Sequence, residues 1–546
     1  MRLERNLLVF VLLINLLVPL NILLAREYYI AKNGDDNNPG TLSAPWKTFN
    51  KANATLVAGD IVYVRRGTYK ETIKPNNSGN PGNFIIYETY KGETVTISEV
   101  PVGVDLSHNE YIEVDGFSVQ NVDQRFVLIS NGHHNIIQHC VMDNAVSWGS
   151  VRVTDNSSYN KILSNTIKRG HGDVVYLADG AHHNLVQEND ISGELSTHAG
   201  LNLRGFVRDG DTLWVHNNII KGNYFHDADD DNIGITEYVK RNVVEDNIVI
   251  RSGLERIRKG ESPLGAGIKL TGSWNNVVRR NIVLDNPTFG IGLWAQLRKG
   301  VPDPVLNNRI YNNIVFNNGP NGWNAAGLQL TIYSDPQPVS GNIFVNNLII
   351  NNSKSQVLVG GGDGVVAMHD NFFFNNLLSS SNIAPVAIMP GGQFTLQEVE
   401  NRSFPYVQFK NNLTGNPVFV DSANVNYHLK PGSPAIDKGR FLTKVSSSGS
   451  GTSMDVQDAG YFIDGFGLIK GDMVQLEGQT EKALIVNIDY RKNLLILDRP
   501  LTWSAGQGVS LSYSGAAPDI GVFEFTAKTD STSPIAPLNV SVEIQQ

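Results

Sequence analysis

"NKILSNTI" (Asn160–Ile167), "NLVQENDI" (Asn184–Ile191), "NIIKGNYF" (Asn218–Phe225) and "NVVEDNIV" (Asn242–Val249) repeat one pattern: asparagine, four residues, asparagine, an apolar residue. It continues as "NVVRRNIV" (Asn276–Val283), "NRIYNNIV" (Asn308–Val315) and "NIFVNNLI" (Asn342–Ile349). The second asparagines stand at 165, 189, 223, 247, 281, 313 and 347, so steps of 24 residues are separated by steps of 32 to 34. One turn of a coil thus has a fixed size and at times carries an extra loop. Apolar residues alternate over short β-rich runs, Gly, Asn and Asp punctuate their ends, and no helical period of useful length appears. That combination predicts an all-β chain wound as a parallel β-solenoid, each coil stacked on the last. Stacking superimposes equivalent side chains, so the asparagines are expected to form internal ladders from turn to turn. The "HHN" runs at His133–Asn135 and His182–Asn184 fall at one phase of the repeat and read as turn positions rather than metal ligands.

The chain has 546 residues, a formal charge of −9 and a single cysteine, Cys140. No internal disulfide can form, so burial and backbone pairing must hold the fold. The net charge excludes nucleic acid as a general partner. Residues 1–25 open with Arg2 and Arg5 and run on apolar, interrupted by Asn15, Pro19 and Asn21. They predict a secretory signal and a secreted protein, extracellular or periplasmic, with no membrane contact after its removal. Leu23 is bulky for a cleavage site, which leaves an uncleaved anchor as the alternative. A monomer is expected.

"GDIVYVRRGTYKE" within Tyr28–Ile73, "NPVFVDSANVNYHLKPGSPAIDKG" (Asn416–Gly439) and "PDIGVFEF" (Pro518–Phe525) resemble the terminal signatures of secreted right-handed parallel β-helix proteins of the pectate-lyase-like group. The expected layout is a signal (1–25), a right-handed parallel β-helix (26–445), an inserted small β-barrel (446–515), a terminal strand returning to the helix (516–530) and a flexible tail (531–546). "SSSGSGTS" (Ser446–Ser453) reads as a flexible linker into the barrel.

Function is sought on the outer columns. The strands "DVVYL", "GLNL", "GITE", "GIKL", "GLWA" and "GLQL", aligned on their apolar residues, put Tyr176, Asn202, Thr236, Lys269, Trp294 and Gln329 in one outward line. Rings that stack on sugars and polar groups that bond hydroxyls make this a candidate polysaccharide groove. From Val239 to Gly300 eleven Lys and Arg face five Asp and Glu, directly after the acidic run Asp227–Asp231. An acidic polymer held by cations fits that asymmetry.

"GAGIKLTG" (Gly265–Gly272) resembles the stretch around the catalytic lysine of family-nine polysaccharide lyases. That resemblance implies Lys269 as the base that removes the proton beside a uronate carboxylate, and calcium held by Asp229, Asp230 and Asp231 to neutralise that carboxylate. The chemistry needs both parts, since such a proton is weakly acidic until the negative charge is offset. The chain departs from the family twice. No carboxylate follows Asp231 until Glu237, and Ala199 stands where an earlier aspartate is expected. Other resemblances keep alternatives open. "GHGDVVYL" (Gly170–Leu177) resembles a polygalacturonase element in the wrong order, and "GLNLRG" (Gly200–Gly205) resembles the arginine element of family-six alginate lyases, with Arg204 as the match. Arg279 or Arg280 could assist with substrate charge. The reading is a calcium-assisted lyase on an acidic polysaccharide; a hydrolase or epimerase on the same fold and a non-catalytic carbohydrate-binding adhesin are the alternatives.

Overall fold

Each repeat turns inward the same way. In a computed structural model, which describes residues 26–526 apart from 147–148, 263–264, 299–300, 321–324, 333–336, 361–366 and 382–383, the coils stack as a right-handed parallel β-helix. One face is a 14-stranded sheet and a second a 13-stranded sheet; the strands of the third face also pair from coil to coil. Alternate residues fill the interior in columns: Val151, Val175, Leu201, Ile233, Ile268, Ile291 and Leu328 lie in register and are fully buried.

The asparagines form the expected ladders. Asn189 donates its amide to the Asn223 Oδ1 at 3.0 Å, Asn223 to Asn247 at 3.0 Å, and Asn247 to Asn281 at 3.0 Å. A parallel line runs through Asn160, Asn184, Asn218 and Asn242. The residue before each ladder position is left-handed (φ 51° at Ser164, 56° at Glu188, 57° at Asp246, 53° at Arg280), which turns the chain and aims the next side chain inward. At the last coil the ladder stops on Glu400, whose Oε1 accepts from the Asn412 N–H at 2.7 Å. At the other end helix α1 (Phe49–Thr55), N-capped by Thr48, buries Phe49 against Tyr69 and Phe117 and closes the core.

Two of the three outer faces are covered by the chain itself. Against the 14-stranded sheet packs a six-stranded antiparallel sheet formed by Thr443–Lys444, Gly508–Leu511, Met473–Leu476, Lys482–Asp489, Leu494–Trp503 and Gly449–Asp455, in that spatial order. A bridge between Val445 and Val456, flanked by a 2.9 Å bond from the Ser446 N–H to the Asp455 carbonyl, joins its edges and closes it. Its apolar residues share one cluster with Leu185, Ile219, Val243, Val277, Tyr311 and Val345 of the coils. The 13-stranded sheet is covered by Val425, Tyr427, Leu429, Ala435 and Ile520.

Two expectations are corrected. Ser446–Ser453 is not a loose linker, because Gly449–Asp455 is a strand paired with Leu494–Trp503. The segment around Pro518–Phe525 does return to the coils, but without strand structure: Gly521 bonds turn residues, accepting from the Asn312 amide at 2.8 Å and donating to the Asn346 carbonyl at 2.9 Å. The signal segment and residues 531–546 lie outside the described residues. Among the described residues no helix is long and apolar enough to cross a membrane.

Candidate functional site

The third face is where the proposed groove lies. Its central strands are β1 (Val175–Ala178), β2 (Leu201–Arg204), β3 (Ile233–Lys240), β4 (Ala266–Trp274), β5 (Phe289–Arg298) and β6 (Ala326–Ile332). The column through Lys269 reads Tyr176, Asn202, Gly234, Lys269, Gly292, Gln329. Lys269 therefore has a glycine on each side, and its side chain stands in a notch. Thr236 and Trp294 belong to the next column, with Arg204 beside Thr236 and Thr331 beside Trp294. The sequence alignment had slipped them by two residues. A slip of two keeps a side chain on the same face, so both still border the site.

Lys269 Nζ contacts Asp231 Oδ2 and lies 5.6 Å from the Trp294 ring centroid. The lysine side chain is 16% exposed and the aspartate side chain 5%. Asp231 is fixed from behind by the Ala266 N–H, 2.7 Å from its Oδ1. The approach depends on Gly265, which is left-handed (φ +94°) and whose added Cβ would sit 2.3 Å from the Asp230 carbonyl carbon. Burial pushes the Asp231 carboxyl up to about 7; Lys269 opposes that shift and Asp230 adds to it.

Trp294 is held by a 3.0 Å bond from its Nε1 to Gln329 Oε1, and its ring lies 4.7 Å from Phe289, which folds over Gly292. Below Lys269, Asn202 accepts from Thr236 Oγ1 at 2.9 Å and donates to Asp173 at 3.3 Å. Asp173 also accepts from the Ala199 N–H at 3.1 Å, so a carboxylate from one coil earlier lies against the backbone at Ala199. Burial raises the Asp173 pKa, with those two bonds opposing. Arg204 pairs with both oxygens of Glu237 at 3.1 and 3.2 Å. Toward the strand ends Trp214 and Trp274 lie 4.5 Å apart, with Lys240 4.1 Å over Trp214.

Of the expected sugar-contacting residues, Asn202, Arg204 and Trp294 are half-buried and reach the surface. Tyr176, Thr236 and Gln329 are buried and support their neighbours instead. Arg279 is fully buried, bonded to Glu245 and Asp472, and Arg280 pairs with Asp246; neither meets the groove. Phe289, Glu237 and the Trp214–Trp274 pair were missed. Glu237 was visible as the first carboxylate after Asp231, but its partner is a coil away.

The acidic run is divided among separate partners. Asp227 bonds His226 at 2.6 Å and Arg251 at 2.6 Å, and these outweigh burial to hold its pKa low. Asp229 faces Lys259 at 3.1 Å and Arg256 at 3.8 Å. Asp231 faces Lys269. Among the described residues no three His, Cys, Asp or Glu side chains converge as metal ligands. Asp229, Asp230 and Asp231 as placed do not fit a calcium cage, which needs several oxygens on one point.

Comparison with known proteins places this architecture. The sequence profile described as "Pel9A-like, right handed beta helix region" matches residues 28–334. The chain belongs to the Pel9A-like right-handed β-helix family. Within the match lie the Asp231–Lys269 pair, Trp294 and Gln329. The uncharacterized protein YwoF of Bacillus subtilis (strain 168) is 24% identical over 314 residues, 52% of this chain and 62% of that protein. The pectate lyase PEL9 of Emericella nidulans is 26% identical over 211 residues, 35% of this chain and 50% of the enzyme. The matches thus span between half and two thirds of these curated relatives. The crystal structure of pectate lyase Pel9A aligns with 92% of this chain and 97% of its own, at 16% identity and a TM-score of 0.44.

Proposed function

We propose that this Pel9A-like β-helix cleaves a uronate-containing polysaccharide by β-elimination along the third face, with Lys269 as the base. The observation that carries this reading is the Lys269–Asp231 pair in its notch between Gly234 and Gly292, beside Trp294. A buried lysine and a buried carboxyl share protons readily, because the low-dielectric surroundings penalise the separated charges. When the pair holds one proton in total, the form with that proton on Asp231 leaves Lys269 a neutral amine. Its Nζ then takes the proton on the carbon next to the uronate carboxylate. The electron pair left behind forms the carbon–carbon double bond. The glycosidic carbon–oxygen bond at the adjacent carbon breaks with its electron pair going to the leaving oxygen, and that oxygen takes a proton from water to depart as a sugar hydroxyl. Trp294 offers a ring face for stacking, and Asn202 and Arg204 offer donors two coils below Lys269.

The test incubates the purified chain with pectate, alginate and glycosaminoglycan, with calcium or with chelator, and follows ultraviolet absorbance of the unsaturated product. Absorbance that Lys269→Ala abolishes supports elimination. Saturated reducing ends without absorbance would replace it with hydrolysis, and saturable polymer binding without product would leave a carbohydrate-binding surface. The chelator arm decides calcium on its own.

A further inference from the structure

A second site lies on another part of the molecule, where the small barrel overhangs the turn after β3. Successive coils stack one turn residue here. Tyr111, His134, Tyr159 and His183 form a continuous ring stack, with centroids 4.6, 4.9 and 5.1 Å apart. Phe466 of the barrel meets the last ring edge-on at 6.2 Å. Beyond that point the column turns polar. Asn217, Arg241, Asn275 and Asn307 take the same left-handed conformation, with φ between 55° and 56°. Between the last three and the barrel is a cavity of about 220 Å³. Pockets for drug-sized ligands run from roughly 300 Å³ upward, so this one suits a single ring.

Its chemistry is specific. The floor is apolar, from Phe462, Phe466 and Val243. Arg241 lies over the Tyr490 ring at 5.2 Å, which holds its guanidinium at the mouth. Other guanidinium groups nearby are spoken for: Arg309 by Asp458 at 2.7 Å, Arg279 by Asp472 at 2.7 Å, Arg280 by Asp246 at 2.7 Å. Among the described residues no carboxylate pairs with Arg241, and none bonds the side-chain amides of Asn275 or Asn307. Arg309 and Asp458 also line the cavity, paired with each other at 2.7 Å, which leaves Arg241 as its uncompensated charge. That cation, two amides and an aromatic wall over an apolar floor match a ligand with one carboxylate, several hydroxyls and a saturated ring.

We propose that this cleft binds one sugar acid, with its carboxylate on Arg241 and its ring against Tyr490 and the apolar floor. The choice of a uronate as the ligand rests on the reading of the Lys269 groove; the preference for a carboxylate-bearing ring does not. Arg241 lies seven residues along the chain from Gly234, the glycine beside Lys269, beyond the left-handed turn at Glu237 and Tyr238, so the two sites are at most about 25 Å of chain apart. The cleft would hold the end of an acidic chain, or a released sugar acid, while the groove acts elsewhere.

Calorimetric titration of the full chain with sodium galacturonate, its linear trimer and uncharged galactose tests this. Saturable binding of the acid and none of galactose is expected. Arg241→Ala, an exposed position, should weaken binding roughly tenfold to a hundredfold. Lys269→Ala should leave it unchanged even where it ends activity on polymer, so the two sites fail separately. Tighter binding of the trimer identifies a chain end as the occupant and equal binding the single sugar; both support the site. No saturable binding, equal binding of galactose, or affinity that survives Arg241→Ala in a chain with wild-type circular dichroism overturns it. Affinity lost in Lys269→Ala but kept in Arg241→Ala overturns it too, by returning the ligand to the groove.

Discussion

Asn247 is the position at which the stability of the coil can be worked through bond by bond. Its Oδ1 accepts from the Asn223 backbone N–H at 2.9 Å and from the Asn223 amide at 3.0 Å. Its own amide donates to the Ile220 carbonyl at 2.9 Å and to Asn281 Oδ1 at 3.0 Å. Asn247→Ala removes all four. The Asn223 amide keeps a bond to the Val186 carbonyl, but its backbone N–H is left with no partner in a dry interior. An orphaned buried donor costs about 1–3 kcal/mol and each further lost bond about 1 kcal/mol, so the substitution should cost ~3 kcal/mol or more. Asn247→Asp keeps the shape and the acceptor. It sets a carboxylate against the Ile220 carbonyl and Asn281 Oδ1, so it should be milder near pH 4, where it can donate, than near pH 8. The assay is guanidinium denaturation followed by circular dichroism, with hydrogen exchange at the Asn223 amide because stacked repeats need not unfold in one step. A loss below about 1 kcal/mol, or unchanged exchange at Asn223, would refute the claim that the ladder holds the coils together.

Other substitutions address the barrel, the pair and the groove. Asp472→Asn removes one of the two carboxylates that face Arg279, through bonds of 2.7 and 2.8 Å, while Glu245 stays bonded at 2.7 Å. Weakening those charge-assisted bonds should cost about 1.5–3 kcal/mol, read as a lower denaturation midpoint and earlier proteolysis at the barrel. Because Asp231 is raised to about 7, the folded chain holds a proton there that the unfolded chain releases near pH 4. Its contribution to stability therefore falls as pH rises from about 4 to 7, and the slope should vanish in Asp231→Asn on a pH series of midpoints. By the same pair titration, turnover should rise as pH passes about 7, where the pair loses its first proton, and a profile flat through that range counts against a shared-proton base. Trp294→Ala should weaken polymer binding by roughly two- to tenfold, read as a higher KM, while circular dichroism stays unchanged.

The fold was legible because its signal repeats. Seven copies of one asparagine pattern overdetermine a coil, and the ladders they predicted are the ones that form. The groove was half legible. Lys269 was expected on the outward line and lies there, yet "FGIGLW" offers two glycines two residues apart, and choosing Gly292 over Gly290 moved Trp294 into the wrong column. Period-two strands give no local means of choosing between such registers. Charge partners were not legible at all. Arg279 meets Asp472 across 193 residues, and the aspartates after His226 were read as one cluster although the chain turns them toward Arg251, Lys259 and Lys269. Ser446–Ser453 has the composition of a linker, and only pairing with Leu494–Trp503 makes part of it a strand.

The most direct measurement is ultraviolet absorbance during incubation of the wild-type chain and Lys269→Ala with a panel of uronate polymers. Steady growth of unsaturated product with the wild type on at least one polymer, and none with a Lys269→Ala variant of unchanged circular dichroism, is the predicted result. Equal product from both proteins, or saturated ends in place of unsaturated ones, would contradict Lys269 as the base of an elimination.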